Sequence, residues 1–241
     1  AIQQAYTAVE QMAHNAALNQ RDAIPLLFDH NLKKIEMVNQ REDVIDKLDV
    51  SVSNYLVKMN DLDLSETESH DVTLLINFVT EFERMGDYAI NVAARSGEVF
   101  DQQIVFSDSA RRELQVLNAA VHEIMQTTVH AFSDRNLELA THVEPLEETV
   151  DLICETLRER HISRLKAGTC NIDAGIVFLE VLTDFERISD HCSNVAARMI
   201  ASAQQTEHFN THELRRAMHA GQREDYNRLL KQYTDKYYPQ L

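Results

Sequence analysis

The sequence predicts an all-α protein: two pseudo-symmetric three-helix bundles, related by an internal repeat, with an extra helix at the C-terminus. Three observations predict it. Gly (5) and Pro (3) are scarce in 241 residues, so the chain has few places to turn and strong intrinsic helicity. Apolar residues recur at helical spacing nearly throughout. One helical segment also occurs twice. Phe82-Glu-Arg-Met-Gly-Asp-Tyr-Ala-Ile-Asn-Val-Ala-Ala-Arg95 matches Phe185-Glu-Arg-Ile-Ser-Asp-His-Cys-Ser-Asn-Val-Ala-Ala-Arg198, 103 positions later, with nine of fourteen positions identical. A weaker match pairs Glu42-Asp-Val-Ile-Asp46 with Glu147-Glu-Thr-Val-Asp151, offset by 105. Two elements recur in the same order at nearly the same offset, which marks a duplication.

The elements follow in order. A first helix is expected over 1–19 and a long second over 22–60, with Pro25 in its first turn, where a missing N–H costs little. A third opens at Ser65, where Ser65-Glu-Thr-Glu68 has capping-box spacing, and closes at Gly97 as a C-cap. The fourth is expected over 109–132 and the fifth over 134–167, ending at Gly168, with Pro145 kinking or splitting it. The sixth covers 173–205. A seventh, 211–236, carries Leu214, Met218, Tyr226, Leu229, Leu230, Tyr233 and Tyr237 on one stripe, which is expected to dock on the body. Contact with another copy, giving a homo-oligomer, is the alternative. The resulting units are 1–100, 107–205 and 206–241.

The formal net charge of −16 argues against nucleic acid and anionic lipid as partners, since both need a positive footprint. Three cysteines (Cys154, Cys170, Cys192), odd in number and in no metal-ligand spacing, read as free thiols of a reducing compartment, which predicts a cytoplasmic location. No signal peptide precedes the first helix. The longest apolar run, Val72–Val79, is far too short for a membrane span.

The chemistry lies in the acidic residues. Glu83 and Asp87 are four apart, so they share a helix face, and they continue the apolar stripe of Val72, Ile76 and Val79. Glu186 and Asp190 likewise continue Leu179 and Leu182; Glu42 and Asp46 continue Ile35 and Val38; Glu147 and Asp151 continue Ala140 and Val143. Each repeat thus offers two helices with a carboxylate pair on the inward side. A single such pair is ordinary on a solvated helix face, but four in phase with the core are not. Partly buried carboxylates need a positive partner. Arg84 and Arg187 adjoin the motifs but point about 100° away on an ideal helix. A bound cation is the simpler solution, and all-oxygen ligands suit hard ions such as Fe³⁺, Mg²⁺, Ca²⁺ and Mn²⁺. Asn91 and Asn194, one turn further on, read as helix-packing hydrogen bonders.

Glu83-Arg-Met-Gly-Asp-Tyr-Ala-Ile-Asn91 and Glu186-Arg-Ile-Ser-Asp-His-Cys-Ser-Asn194 resemble the E-R-[I/M]-x-D-x-x-x-N signature of the PhoU family. The resemblance covers about residues 1–205. It implies two metal sites, often iron in that family, one at Glu42, Asp46, Glu83 and Asp87 and one at Glu147, Asp151, Glu186 and Asp190. It also implies a role in controlling phosphate uptake. Segment Asn54–Ser69 departs from the Gln-Pro-x-Ala-x-Asp-Leu-Arg-like stretch of stand-alone members. It is more similar to the C-terminal cytoplasmic domain of bacterial sodium/phosphate cotransporters, and the Ala1 start and the tyrosine-rich final helix agree with that version.

The leading expectation is therefore a non-enzymatic, metal-binding regulatory domain. Its partner is the membrane part of a phosphate transporter, fused or separate, and a fused domain would sit at the inner face of the plasma membrane. The alternatives are a stand-alone regulator of an ABC phosphate transporter, a metal-free adaptor whose arginines neutralise the acids, and a carboxylate-bridged di-metal enzyme. Such enzymes use Glu-x-x-His ligands, and no Glu of this chain has His three positions on. His191, beside Asp190, reads as a packing or surface residue.

Overall fold

The computed structural model describes residues 2–204, 216 and 223–241. Eight α-helices follow in order: α1 Ile2–Phe28, α2 Leu32–Met59, α3 Glu66–Asp101, α4 Asp108–Ser133, α5 Leu137–Ala140, α6 Val143–Lys166, α7 Ile172–Gln204 and α8 Arg223–Tyr237. α1, α2 and α3 pack on one another, as do α4, α6 and α7. The two units meet where α1 lies on α4 and α3 lies on α7. Their seam is filled by aromatic rings. Phe132 of α4 stacks on Tyr6 with centroids 4.6 Å apart and takes Phe78 and Phe82 of α3 edge-on at 5.1 and 5.3 Å.

Several helix ends differ from expectation for local reasons. Pro25 sits in the last turn of α1, not at the start of α2. It cannot donate to the Arg21 carbonyl one turn back. Asn118 of α4 supplies that hydrogen bond instead, Nδ2 to oxygen at 3.2 Å, while its own Oδ1 accepts from Gln20 Nε2 at 3.0 Å. α2 then starts afresh, with Asn31 accepting from the Lys33 and Lys34 amides. The Ser65–Glu68 capping box is present. α3 passes through Gly97, ends four residues later at Asp101 and is closed by a left-handed residue, Gln103 (φ 54°). There Ile104 N–H bonds the Val99 carbonyl at 2.9 Å, closing the helix as a glycine would. Arg135 does the same for α4 (φ 51°), and Gly168 ends α6 as expected (φ 66°). The expected fifth helix is split into α5 and α6, with Pro145 in the first turn of the latter.

Leu214 and Met218 lie outside the described residues. The rest of the C-terminal stripe docks on the body as expected: Leu229, Tyr233 and Tyr237 are buried. Tyr233 meets His142 Nδ1 at 2.9 Å, the Tyr237 hydroxyl donates to Glu123, and Arg160 donates to the Leu241 carbonyl at 2.6 Å.

The two copies of the repeated segment pack antiparallel, α3 against α7, and exchange ion pairs. Arg95 reaches Glu180 and, at 3.5 Å, Asp184. Reciprocally Arg198 lies 3.8 Å from Glu81, which also accepts from Asn194 at 3.1 Å and meets His191 Nδ1 at 2.6 Å. Asn194 is thus a packing hydrogen bonder, whereas Asn91 is exposed. Removing Arg95 would isolate the nearly buried Asp184 carboxylate. Arg95→Met is therefore expected to cost roughly 1–3 kcal/mol in denaturant unfolding, less than for a fully buried pair because the arginine is 23% exposed. An unchanged midpoint and slope would contradict this role.

Candidate metal centre

α2 and α3 lie side by side, with Glu42, Glu83 and Asp87 half-buried and Asp46, against the expectation of an inward position, exposed. Gly86 decides how closely they approach. A Cβ there would stand 3.1 Å from Ile45 Cδ1 and 3.3 Å from Glu42 Oε2. The bare backbone therefore lets α2 settle on α3 and brings the Glu42 carboxylate into the turn holding Glu83 and Asp87. Glu42 Oε2 is buried there without a hydrogen-bond partner.

The electrostatics of this cluster are those of crowded carboxylates. Burial, then Asp46, Asp87 and Glu83, push Glu42 up to about 7. Burial and Asp87, which also hydrogen-bonds it, push Glu83 up to about 7. Asp46 is raised as well, by burial and then by Asp87, Asp43 and Asp49. Arg84 offers one weak counter-charge, bending back to 3.9 Å from Glu83 with its side chain 57% exposed. The four predicted residues of the first repeat thus act on one another as one group.

The second repeat is built alike and neutralised differently. Arg158, two turns along the same helix face from Asp151, grips both oxygens of Glu186. Arg187 reaches forward to Asp190 at 3.3 Å and adds a second counter-charge. Ser189 stands where the first repeat has Gly86 and is fully buried. Asp151, Glu186 and Arg158 line an open groove of about 540 Å³ with Glu148, Glu155 and Glu159, while Glu147 is buried. Tyr226 of α8 lies within electrostatic reach of Glu144, Glu147, Glu148 and Asp151. Burial and those carboxylates push its phenol pKa up.

Among the described residues no three His, Cys, Asp or Glu side chains are drawn together tightly enough to ligate one ion as they stand. Binding at the first cluster would require its carboxylates to converge further. The donors present fit a hard cation: all are carboxylate oxygens, one is buried and unbonded, and the cluster lacks a strong internal counter-charge. Arg158 and the seam residues Glu81, Asp184, Arg95 and Arg198 escaped the sequence reading. The seam was detectable, because Glu81 and Asp184 precede the matched block at equivalent places and Arg95 and Arg198 close it.

An all-α duplicated bundle with carboxylate pairs on the inner helix faces is a narrow class, and comparison with known proteins places the chain within it. The PhoU domain model matches residues 9–96 and 114–199, so the chain belongs to the PhoU family. It is 22% identical to the phosphate-specific transport system accessory protein PhoU homolog 1 of Thermotoga maritima, over 80% of this chain and 82% of that protein. It is 24% identical to the PhoU homolog of Pseudomonas aeruginosa over 74% of each. The fold superposes on the crystal structure of PhoU from Pseudomonas aeruginosa with a TM-score of 0.78 at 20% identity, covering 84% of this chain and 97% of that one. It also superposes on the phosphate transport system regulatory protein PhoU from Streptococcus pneumoniae, with a TM-score of 0.73 at 15% identity, covering 85% and 95%.

The raised carboxylates carry a stability signature. Glu42 and Glu83 hold protons up to about pH 7 when folded but only up to about 4.5 when unfolded. Between those values the folded state binds more protons, so their contribution falls as pH rises and levels off above about 7. Thermal melts in chelator from about pH 5 to about pH 8 are expected to show this decline, and Glu42→Gln with Glu83→Gln to flatten it. Identical profiles for both proteins would contradict the assignment.

Proposed function

We propose that this chain is a non-enzymatic regulator of phosphate uptake whose first acidic cluster binds a hard metal cation, iron being the family's common choice. The observation that carries the metal reading is Glu42 Oε2, buried without a partner in a turn kept open by Gly86. Family membership supports the regulatory reading. No helix among the described residues is long and apolar enough to cross a membrane. The partner would be a phosphate transporter's membrane part, contacted through a helical face in the cytoplasm.

The relatives named as phosphate-specific transport accessory proteins are matched over about four-fifths of their length, which favours a stand-alone regulator of an ABC phosphate transporter. The second reading, a domain fused to a sodium/phosphate cotransporter, rests on segment Asn54–Ser69. The second acidic group, with Arg158 and Arg187 already on its carboxylates, suits a weaker metal site or a self-neutralised adaptor face.

Elemental analysis of purified protein tests the assignment. Metal is expected in the unaltered chain, lost in Asp87→Asn and Gly86→Ala, and largely retained in Asp190→Asn. Negligible metal in the unaltered chain as in all variants would sink the metal reading.

A further inference from the structure

At the far end of the second repeat, away from both acidic groups, a cysteine and a histidine meet in the lining of a cavity. Cys170 lies in the turn between α6 and α7. Its Sγ is 3.7 Å from His161 Nδ1 and 3.3 Å from the Asn171 carbonyl. His161 is 2% exposed, a rare burial for an imidazole. Its seat is made by Gly175: a Cβ there would stand 2.6 Å from His161 Cε1. Phe178 stacks on the imidazole at 5.6 Å, and the Arg164 guanidinium lies over the same phenyl ring at 5.3 Å. Cys170, His161, Arg164, Phe106 and Phe178 all line one cavity of about 230 Å³. The other two thiols differ: Cys154 and Cys192 are fully buried, and burial pushes both up, Cys192 to about 12.

We propose that Cys170 is a reactive thiol that undergoes exchange with small disulfides that fit the cavity, with His161 taking its proton. Burial, and then Arg164, hold the His161 pKa below its ordinary value, so the imidazole is neutral near pH 7 and free to accept a proton. The charged groups around it are Arg164 and, through it, Glu113, which Arg160 also approaches at 3.5 Å. In the tautomer with hydrogen on Nε2, Nδ1 accepts the Cys170 proton. The thiolate attacks one sulfur of the disulfide, a new S–S bond forms as the old one breaks, and the leaving thiolate carries away the electron pair. Cys170 is oxidised and the departing sulfur reduced, so no further oxidant is needed.

The test uses the full chain and 5,5′-dithiobis(2-nitrobenzoate), an aromatic disulfide bearing carboxylates. One equivalent of thionitrobenzoate is expected in a fast phase, with the adduct mapped by mass spectrometry to Cys170 and absent in Cys170→Ser. The rate is expected to exceed that of N-acetylcysteine at neutral pH by about tenfold, and His161→Asn to lower it by about as much. Gly175→Ala, which crowds the ring off its seat, is expected to slow it too. A rate no faster than N-acetylcysteine in the unaltered protein overturns the proposal without any variant. So does a folded His161→Asn protein that reacts at full speed, or an adduct on Cys154 or Cys192.

Discussion

The reciprocal pairing of α3 with α7 is the constraint on which the rest of the molecule depends. Arg95 reaches Asp184, and at the equivalent place 103 residues on Arg198 approaches Glu81, so the two copies meet as a symmetric pair joined into one chain. At its centre Cys192 touches Met85 at 4.0 Å and His191 stacks on Tyr88. At about 100° per residue, Glu81, Met85, Tyr88 and Arg95 fall within about 80° of one another, and Glu83 and Asp87 fall on the opposite side of α3. Committing one face of each repeated helix to the seam leaves the other face for α2 or α6. The carboxylates therefore sit on the outer sides of the pair, one group in each repeat. Burial on two faces also accounts for the strong conservation between copies that the chain itself displays over fourteen positions.

On that shared frame the two acidic groups have diverged through a few substitutions. Gly86 is replaced by Ser189, Ser53 by Arg158, and Asp49 by Cys154, reading each pair at the repeat offsets. Each change alters charge or access in the same direction. The first repeat gains a carboxylate and a gap in the helix wall; the second gains a guanidinium and loses the gap. Partly buried carboxylates repel unless something positive approaches. In the second repeat that positive group is built in, through Arg158 on Glu186. In the first, Arg84 is mostly in solvent and Arg41 is taken by Asp22 at 2.6 Å, so no comparable counter-charge is built in.

Much of this was legible in the sequence, and the exceptions share a cause. Helices, duplication, the Ser65 capping box and the Gly168 terminus are set by local chemistry, which periodicity and turn residues reveal. Pro25 misled because its cost is removed by Asn118, almost a hundred residues away. Gly97 misled because the left-handed position fell on Gln103, a residue with no propensity for it. The carboxylates were legible because they continue an apolar stripe. Their neutralisation was not, since an arginine's reach crosses helices and a helical wheel places only its Cβ.

The C-terminal helix bears on the same asymmetry. It buries Leu229, Tyr233 and Tyr237 against α4 and α6 and brings Tyr226 into the field of Glu144, Glu147, Glu148 and Asp151. A half-buried phenol in the field of carboxylates resists ionisation, so it adds no negative charge there. The helix thereby covers part of the second repeat's outer side with a group that tolerates its charge. Internal arginines and a neighbouring phenol both bear on the second acidic group. Neither acts on the first, where the Glu42 oxygen seated against Gly86 is buried without a partner. Duplication supplied two equivalent places, and packing neutralises one of them from within while the other keeps a buried, unpartnered carboxylate oxygen.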